Sequence, residues 1–146
     1  MAQLYENGLF MDNLFGFLKL TPQMTRAEQP RDAPRPIRAG IEFRGVSFRY
    51  PGREEWVLRD VNLHIAPGEK LALVGANGAG KTTMVKLLTR LYDPTEGRIL
   101  LDGADLREYD LDDLRERIGV IFQDFQHYQA TARENIGFGQ IHALDE

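Results

Sequence analysis

Eight residues near the middle of the chain, Gly75, Ala76, Asn77, Gly78, Ala79, Gly80, Lys81 and Thr82, hold its densest chemistry. They fit G-x-x-x-x-G-K-[ST] at every fixed position. Small residues at Gly75, Gly78 and Gly80 let the backbone wrap an anion, with successive N–H groups turned inward as a nest. A helix starting at the loop adds its unpaired N–H groups and its dipole, both of which favour phosphate. Lys81 supplies a point charge for the outer phosphates of a nucleotide, and the Thr82 hydroxyl is placed for Mg2+. Thr83 follows in the same turn. The competing interpretation is a glycine-rich turn with a solvated lysine, and the elements around the loop decide between the two.

Those elements favour the phosphate loop. Residues 71–74, "LALV", form a short apolar run suited to a buried central strand. After the loop, Met84, Leu87, Leu88 and Leu91 recur at helical spacing, so a helix starts directly at it. Upstream, Ile41 and Phe43, then Val46, Phe48 and Tyr50, alternate with a one-residue slip at Gly45, which predicts a strand bulged at the glycine. In "VLRDVNLHI", Val61, Leu63 and Ile65 face inward, while Asn62 and His64 face outward, which makes His64 a surface residue. Downstream, Pro94 and Gly97 end the helix, "RILL" is a short strand, and Asp102-Gly103 is a turn. Asp110 can cap a short helix through "LDDLRER", and "IGVIF" returns as another buried strand. The fold class expected is α/β of the P-loop NTPase kind with an antiparallel β subdomain.

Composition narrows the class. At 146 residues, 42% hydrophobic and 27% charged, the chain has one domain's worth of ordinary globular sequence. A net charge of −4 gives no reason to expect nucleic acid as a partner. The absence of cysteine excludes disulfides and thiolate metal sites. The N-terminus does not look like a signal peptide, and no apolar run approaches the ~20 residues a bilayer crossing needs.

Residues 1–20 place Phe10, Leu14, Phe17 and Leu18 at helical spacing with Met11 beside them, an amphipathic helix with an aromatic stripe. The stripe packs either on this domain's core or on something outside the chain. Residues 21–38 read as a Pro/Arg-rich, semi-extended linker, with its arginines solvating it and a boundary near Ile37. The folded domain then occupies residues 39–146.

From about Ile41 to Gly137 the residues resemble the nucleotide-binding domain of ATP-binding cassette (ABC) transporters, exporter type. "FRYPG" looks like the A-loop, which implies that Tyr50 stacks on adenine. "VLRDVNLHIAPGEKLALVGANGAGKTT" and "LYDPTEGRILLDG" are similar to the family's wording around and after the phosphate loop. "IGVIFQDF" looks like the Q-loop, with Gln123 reaching Mg2+ and the attacking water. "TARENIGFG" resembles the entry to the helical subdomain, and "YENGLFMDNLFGFL" resembles the cytoplasmic end of the last membrane helix, giving the aromatic stripe a partner.

The resemblance implies ATP and Mg2+ as ligands. The implied partners are the transmembrane domain of the same transporter and a second nucleotide-binding domain, head to tail, at the cytoplasmic face of a membrane. The nucleotide contacts implied are Tyr50, Gly75 to Thr83 and Gln123, with Thr82 and Gln123 on the metal. Hydrolysis also needs an acidic residue on a second strand. Asp102 reads instead as a turn residue, and Asp124 stands wrongly spaced from its strand. No "SGGQ" signature occurs, His127 and His142 match no switch context, and Asp145-Glu146 follows no apolar strand. The chain is therefore expected to be the front half of such a domain, binding nucleotide without a complete catalytic set. Two alternatives stand beside it: a small self-contained phosphate-loop kinase or GTPase, weakened by the lack of an N-K-x-D motif, and a non-catalytic nucleotide-binding module.

Overall fold

The computed structural model describes residues 11, 14–19, 24–121 and 129–137. Four strands form one antiparallel sheet: β1 (Ile41–Phe48), β2 (Leu58–Ile65), β3 (Glu96–Leu101) and β4 (Ala104–Asp105), in the order β2-β1-β3-β4. Helix α1 (Lys81–Leu88) lies between β2 and β3 in the chain, and α2 (Leu111–Glu116) and α3 (Ala132–Gly137) follow the sheet. Phe43, Val46 and Phe48 of β1, Leu58 of β2 and Ile99 and Leu101 of β3 share one core with Leu87 of α1 and Leu114 of α2.

The slip expected at Gly45 is present. Register shifts separate Phe43 from Val46 in the pairing with β2, and Gly45 takes a φ of +58°. Across from the bulge, Gly97 has a φ of +77°, and a Cβ there would meet the carbonyl oxygen of Gly45 at 2.3 Å. Only glycine fits where β3 crosses the bulge. The Asp102-Gly103 turn joins β3 to β4 with both residues at positive φ, as a tight primed turn requires. Asp110 caps α2 by accepting from the N–H groups of Asp112 and Asp113.

Two expectations give way. Residues 71–74 form no strand: Leu71 and Leu73 are exposed and Val74 is 94% exposed. A strand apolar on both faces needs a neighbour on each edge and a layer above and below, and none of the four strands pairs with it. Residues 118–121 likewise join no sheet, and Ile121 is exposed. Near the N-terminus residues 14–18 are helical, as the spacing predicts, and Leu14, Phe15, Phe17 and Leu18 are all exposed, so the described part of the stripe is not buried on this core; Phe10 lies outside the described residues.

Residues 24–40 are a docked strap rather than a solvated linker. Arg31 bridges in parallel to Tyr109, exchanging backbone bonds with Glu108 and Asp110. Ala33 is buried, and its N–H donates to Asp113 Oδ2 at 2.6 Å. Arg26 pairs with Asp112, Arg31 with Glu108 and Arg35 with Asp113. At the strap's end Asp102 Oδ1 accepts the N–H groups of Arg38, Ala39 and Gly40 at 3.0, 2.7 and 3.0 Å. Asp102 is thus a turn residue, as expected, that also staples the strap to the sheet. Single exposed ion pairs contribute little each; the backbone bonds to buried Ala33 and around Tyr109 do most of the holding.

Candidate functional site

The phosphate loop owes its shape to what flanks it. β2 delivers the chain to an exposed segment from Ala66 to Ala79, and α1 begins at Lys81 with Gly80 as its N-cap. Gly80 sits in the left-handed region at φ +85°, and no side chain caps the helix. The first-turn N–H groups are therefore left without a side-chain partner at the loop. A Cβ on Gly80 would lie 2.6 Å from Leu58 Cδ2, so β2 and the loop touch where only glycine fits. Gly78 is also left-handed at φ +84°. Ala79 N–H donates to the Ala76 carbonyl at 3.2 Å, closing the loop's inner turn.

Lys81 folds back over this loop. Its Nζ donates to the carbonyl oxygens of Gly75 and Ala76, each at 2.7 Å. The ammonium thus stands at the mouth of the ring of backbone groups, on a side chain with four rotatable bonds and a third donor to spare. Thr82 is exposed beside it, whereas Thr83 is buried.

Tyr50 leaves the end of β1 and is half-buried. Its hydroxyl lies 3.1 Å from Thr83 Oγ1, in the first turn of α1. Tyr50, the residue expected to carry adenine, therefore touches the first turn of the helix that follows the glycine loop. Beside Tyr50 a cleft of about 690 Å³ is lined by Met24, Arg49, Arg53, Leu91, Tyr92 and Asp93 among others, but by no residue from Gly75 to Thr83. It is separate from the phosphate loop. Gln123, and with it Asp124 and His127, lies outside the described residues.

The C-terminal end of α1 holds a residue that sequence reasoning passed over. Arg90 is 1% exposed, takes a φ of +51°, and donates from Nε to Asp93 and from Nη2 to the Thr25 carbonyl at 2.6 Å. Arg115 of α2 reaches across to the Arg90 carbonyl at 2.7 Å. An arginine at the end of an apolar helical stripe reads as surface; here Thr25 of the strap, Asp93 and Arg115 all bond it. Among the described residues no cluster of histidine, aspartate and glutamate is arranged to hold a metal by itself. None of the described helices is long and apolar enough to cross a membrane.

The ABC transporter family profile matches residues 58–146, well over half of the chain. The chain belongs to the ABC transporter family. It is 41% identical over 143 residues to the subtilin transport ATP-binding protein SpaT of Bacillus subtilis, covering 98% of this chain and 23% of that protein. It is 42% identical over 144 residues to the mitochondrial iron-sulfur clusters transporter ATM1 of Kluyveromyces lactis, covering 98% of this chain and 20% of that protein. Among solved structures, a bacterial Atm1-family ABC exporter with ATP bound superposes with a TM-score of 0.78 at 32% identity, over 95% of this chain and 24% of that one. The fold is that of part of an ABC exporter's nucleotide-binding domain. The chain spans about a fifth to a quarter of the length of these relatives.

Proposed function

We propose that this chain binds MgATP as part of the nucleotide-binding domain of an ABC exporter, whose whole protein couples ATP hydrolysis to export across a membrane. The observation that carries the proposal is the uncapped N-terminus of α1 with Lys81 folded over the glycine loop. Backbone N–H groups, a helix dipole and the Lys81 ammonium lie together at one exposed glycine loop, the donor set that a triphosphate needs. Lys81 would exchange its two carbonyl contacts for phosphate oxygens, and the exposed Thr82 hydroxyl would ligate Mg2+. Tyr50 would carry the adenine, and Gln123 would complete the metal and water contacts. Thr82 and Gln123 would hold Mg2+, which would supply positive charge against the negative charge of the triphosphate.

The partners that complete the reading are the transmembrane domain of the same transporter and a second nucleotide-binding domain placed head to tail, at the cytoplasmic face of the membrane. The exposed apolar residues near the N-terminus and the segment boundaries at residues 20 and 38 fit a helix end and a connection entering the domain. In calorimetric titration with MgATP, we expect Lys81→Ala to abolish binding, since the loop loses its one mobile cation. Undiminished affinity in that variant would sink the site assignment.

A further inference from the structure

Tyr50 is held on several sides by residues from three parts of the chain. Its hydroxyl meets Thr83 Oγ1 at 3.1 Å. The rings of Phe48 and Tyr92 approach it nearly perpendicular, at centroid distances of 5.0 and 5.3 Å and interplanar angles of 81° and 89°. Lys86 Nζ lies over the ring, 5.5 Å from its centroid. Phe48 belongs to β1, Thr83 and Lys86 to α1, and Tyr92 to the turn that follows α1.

Thr83 stands out among these. A threonine inside a helix commonly turns its hydroxyl back to the carbonyl one turn earlier. Thr89, the C-cap of α1, does so in this structure, bonding the Val85 carbonyl at 3.0 Å. Thr83 is 5% exposed, and its hydroxyl pairs with Tyr50 instead. It lies two residues after Lys81, in the turn whose N–H groups face the phosphate loop. The bond therefore ties the aromatic platform to the same rigid helix that presents the phosphate site. Edge-to-face packing by Tyr92 and Phe48 restricts the ring further.

We propose that Thr83 and Tyr92 are positioning residues for Tyr50. They fix its ring relative to the phosphate loop, so that the base and the phosphates of one purine nucleoside triphosphate are read by a single preorganised unit. The inference rests on the reading of Tyr50 as a base platform and of the loop as its phosphate site. An unfixed ring must be ordered when the base arrives, which weakens binding of the base-bearing ligand. A ligand without a base escapes that cost.

The test compares two ligands by calorimetry on the 146-residue chain: MgATP, and magnesium tripolyphosphate, which has three linked phosphates and no base. The readout is the ratio of their affinities. Thr83→Val keeps the branched shape and removes the hydroxyl, and lowers that ratio roughly two- to tenfold, the worth of one hydrogen bond. Tyr50→Phe lowers it by a similar factor, and the double variant goes no further, because both single changes break the same bond. Thr83→Ser retains the hydroxyl and restores the wild-type ratio, and Tyr92→Leu lowers it through lost ring contact. An unchanged ratio in Thr83→Val, or losses that multiply in the double variant, overturns the positioning role. If Thr83→Val does not fold, Tyr50→Phe and Tyr92→Leu decide alone, and unchanged ratios in both overturn it. A wild-type chain that binds neither ligand defeats the nucleotide reading and this inference together; one that binds both, with the ratio insensitive to these residues, defeats only this inference.

Discussion

Replacing Gly80 by alanine perturbs the phosphate loop and the core in one step, and the two costs can be separated. Gly80 holds a φ of +85°, so a Cβ there pays for the left-handed conformation, about 1–2 kcal/mol. The same Cβ would stand 2.6 Å from Leu58 Cδ2 and 3.2 Å from the Val57 carbonyl oxygen. Leu58 is buried in the core and cannot swing into solvent, so overpacking adds about 1–3 kcal/mol. The sum, about 2–5 kcal/mol, is a large part of the stability of an ordinary domain. Gly78→Ala is the control: its φ is +84°, but nothing lies within 4 Å of the added carbon, so it carries only the conformational cost of about 1–2 kcal/mol. Urea denaturation followed by the fluorescence of Trp56 measures both. Leu58→Val removes the clashing methyl, and in that background the cost of Gly80→Ala should fall towards that of Gly78→Ala, the 3.2 Å approach to the Val57 carbonyl oxygen remaining. Equal losses for Gly80→Ala and Gly78→Ala in the wild-type background would show that the contact with Leu58 carries nothing.

Two further outcomes are expected, both concerning the strap and what it covers. The Asp113 carboxyl is held below the usual range, first by its bond with Arg117 and then by the N–H of Ala33. Asp102 is also held low, where partial desolvation pushes it up but the N–H groups of Arg38, Ala39 and Gly40 outweigh that. A depressed folded pKa contributes stability that is full above the unfolded value of about 4 and is lost as pH falls through the folded one. Urea midpoints should therefore drop as pH falls below about 4, and Asp113→Asn should show a shallower drop; identical slopes would count against the bonds that Asp113 accepts from Arg117 and Ala33. Leu114 of α2 is 2% exposed beneath the strap, and Leu114→Ala should cost about 2–5 kcal/mol in the same assay. A loss under ~1 kcal/mol would mean that α2 is not part of the core.

Local signals in the sequence were read well, and distant ones were not. The slip in alternation at Gly45, the Asp102-Gly103 turn, the cap at Asp110 and the glycine loop each depend on a few neighbouring residues, and each stands where expected. The run from Leu71 to Val74 illustrates the limit. Apolar composition states that a segment favours burial; it does not supply the strands that bury it, and here none of the four pairs with it. The arginines of residues 26–38 failed for the converse reason. A charged, proline-rich segment looks solvated until its partners are known, and these lie 64 to 86 residues further along the chain. Thr83 was legible as part of the phosphate motif but not as the partner of Tyr50, because the bond joins positions 33 apart. Arg90 carried no local sign at all.

The strap changes how a mechanical load would enter this domain. A free tether passes on tension only at its point of attachment and leaves direction undefined. This segment is bonded at three stations: Thr25 and Arg26 on Arg90 and Asp112, Arg31 and Ala33 around Tyr109 and Asp113, and residues 38–40 on Asp102. A pull from the N-terminal side therefore meets the stations in series. Thr25 is the first to yield and Asp102 the last. The first station bears on Arg90, two residues past the helix whose opposite end is the phosphate loop. Traction on the incoming chain is thus delivered to the tail of that helix before it reaches the sheet.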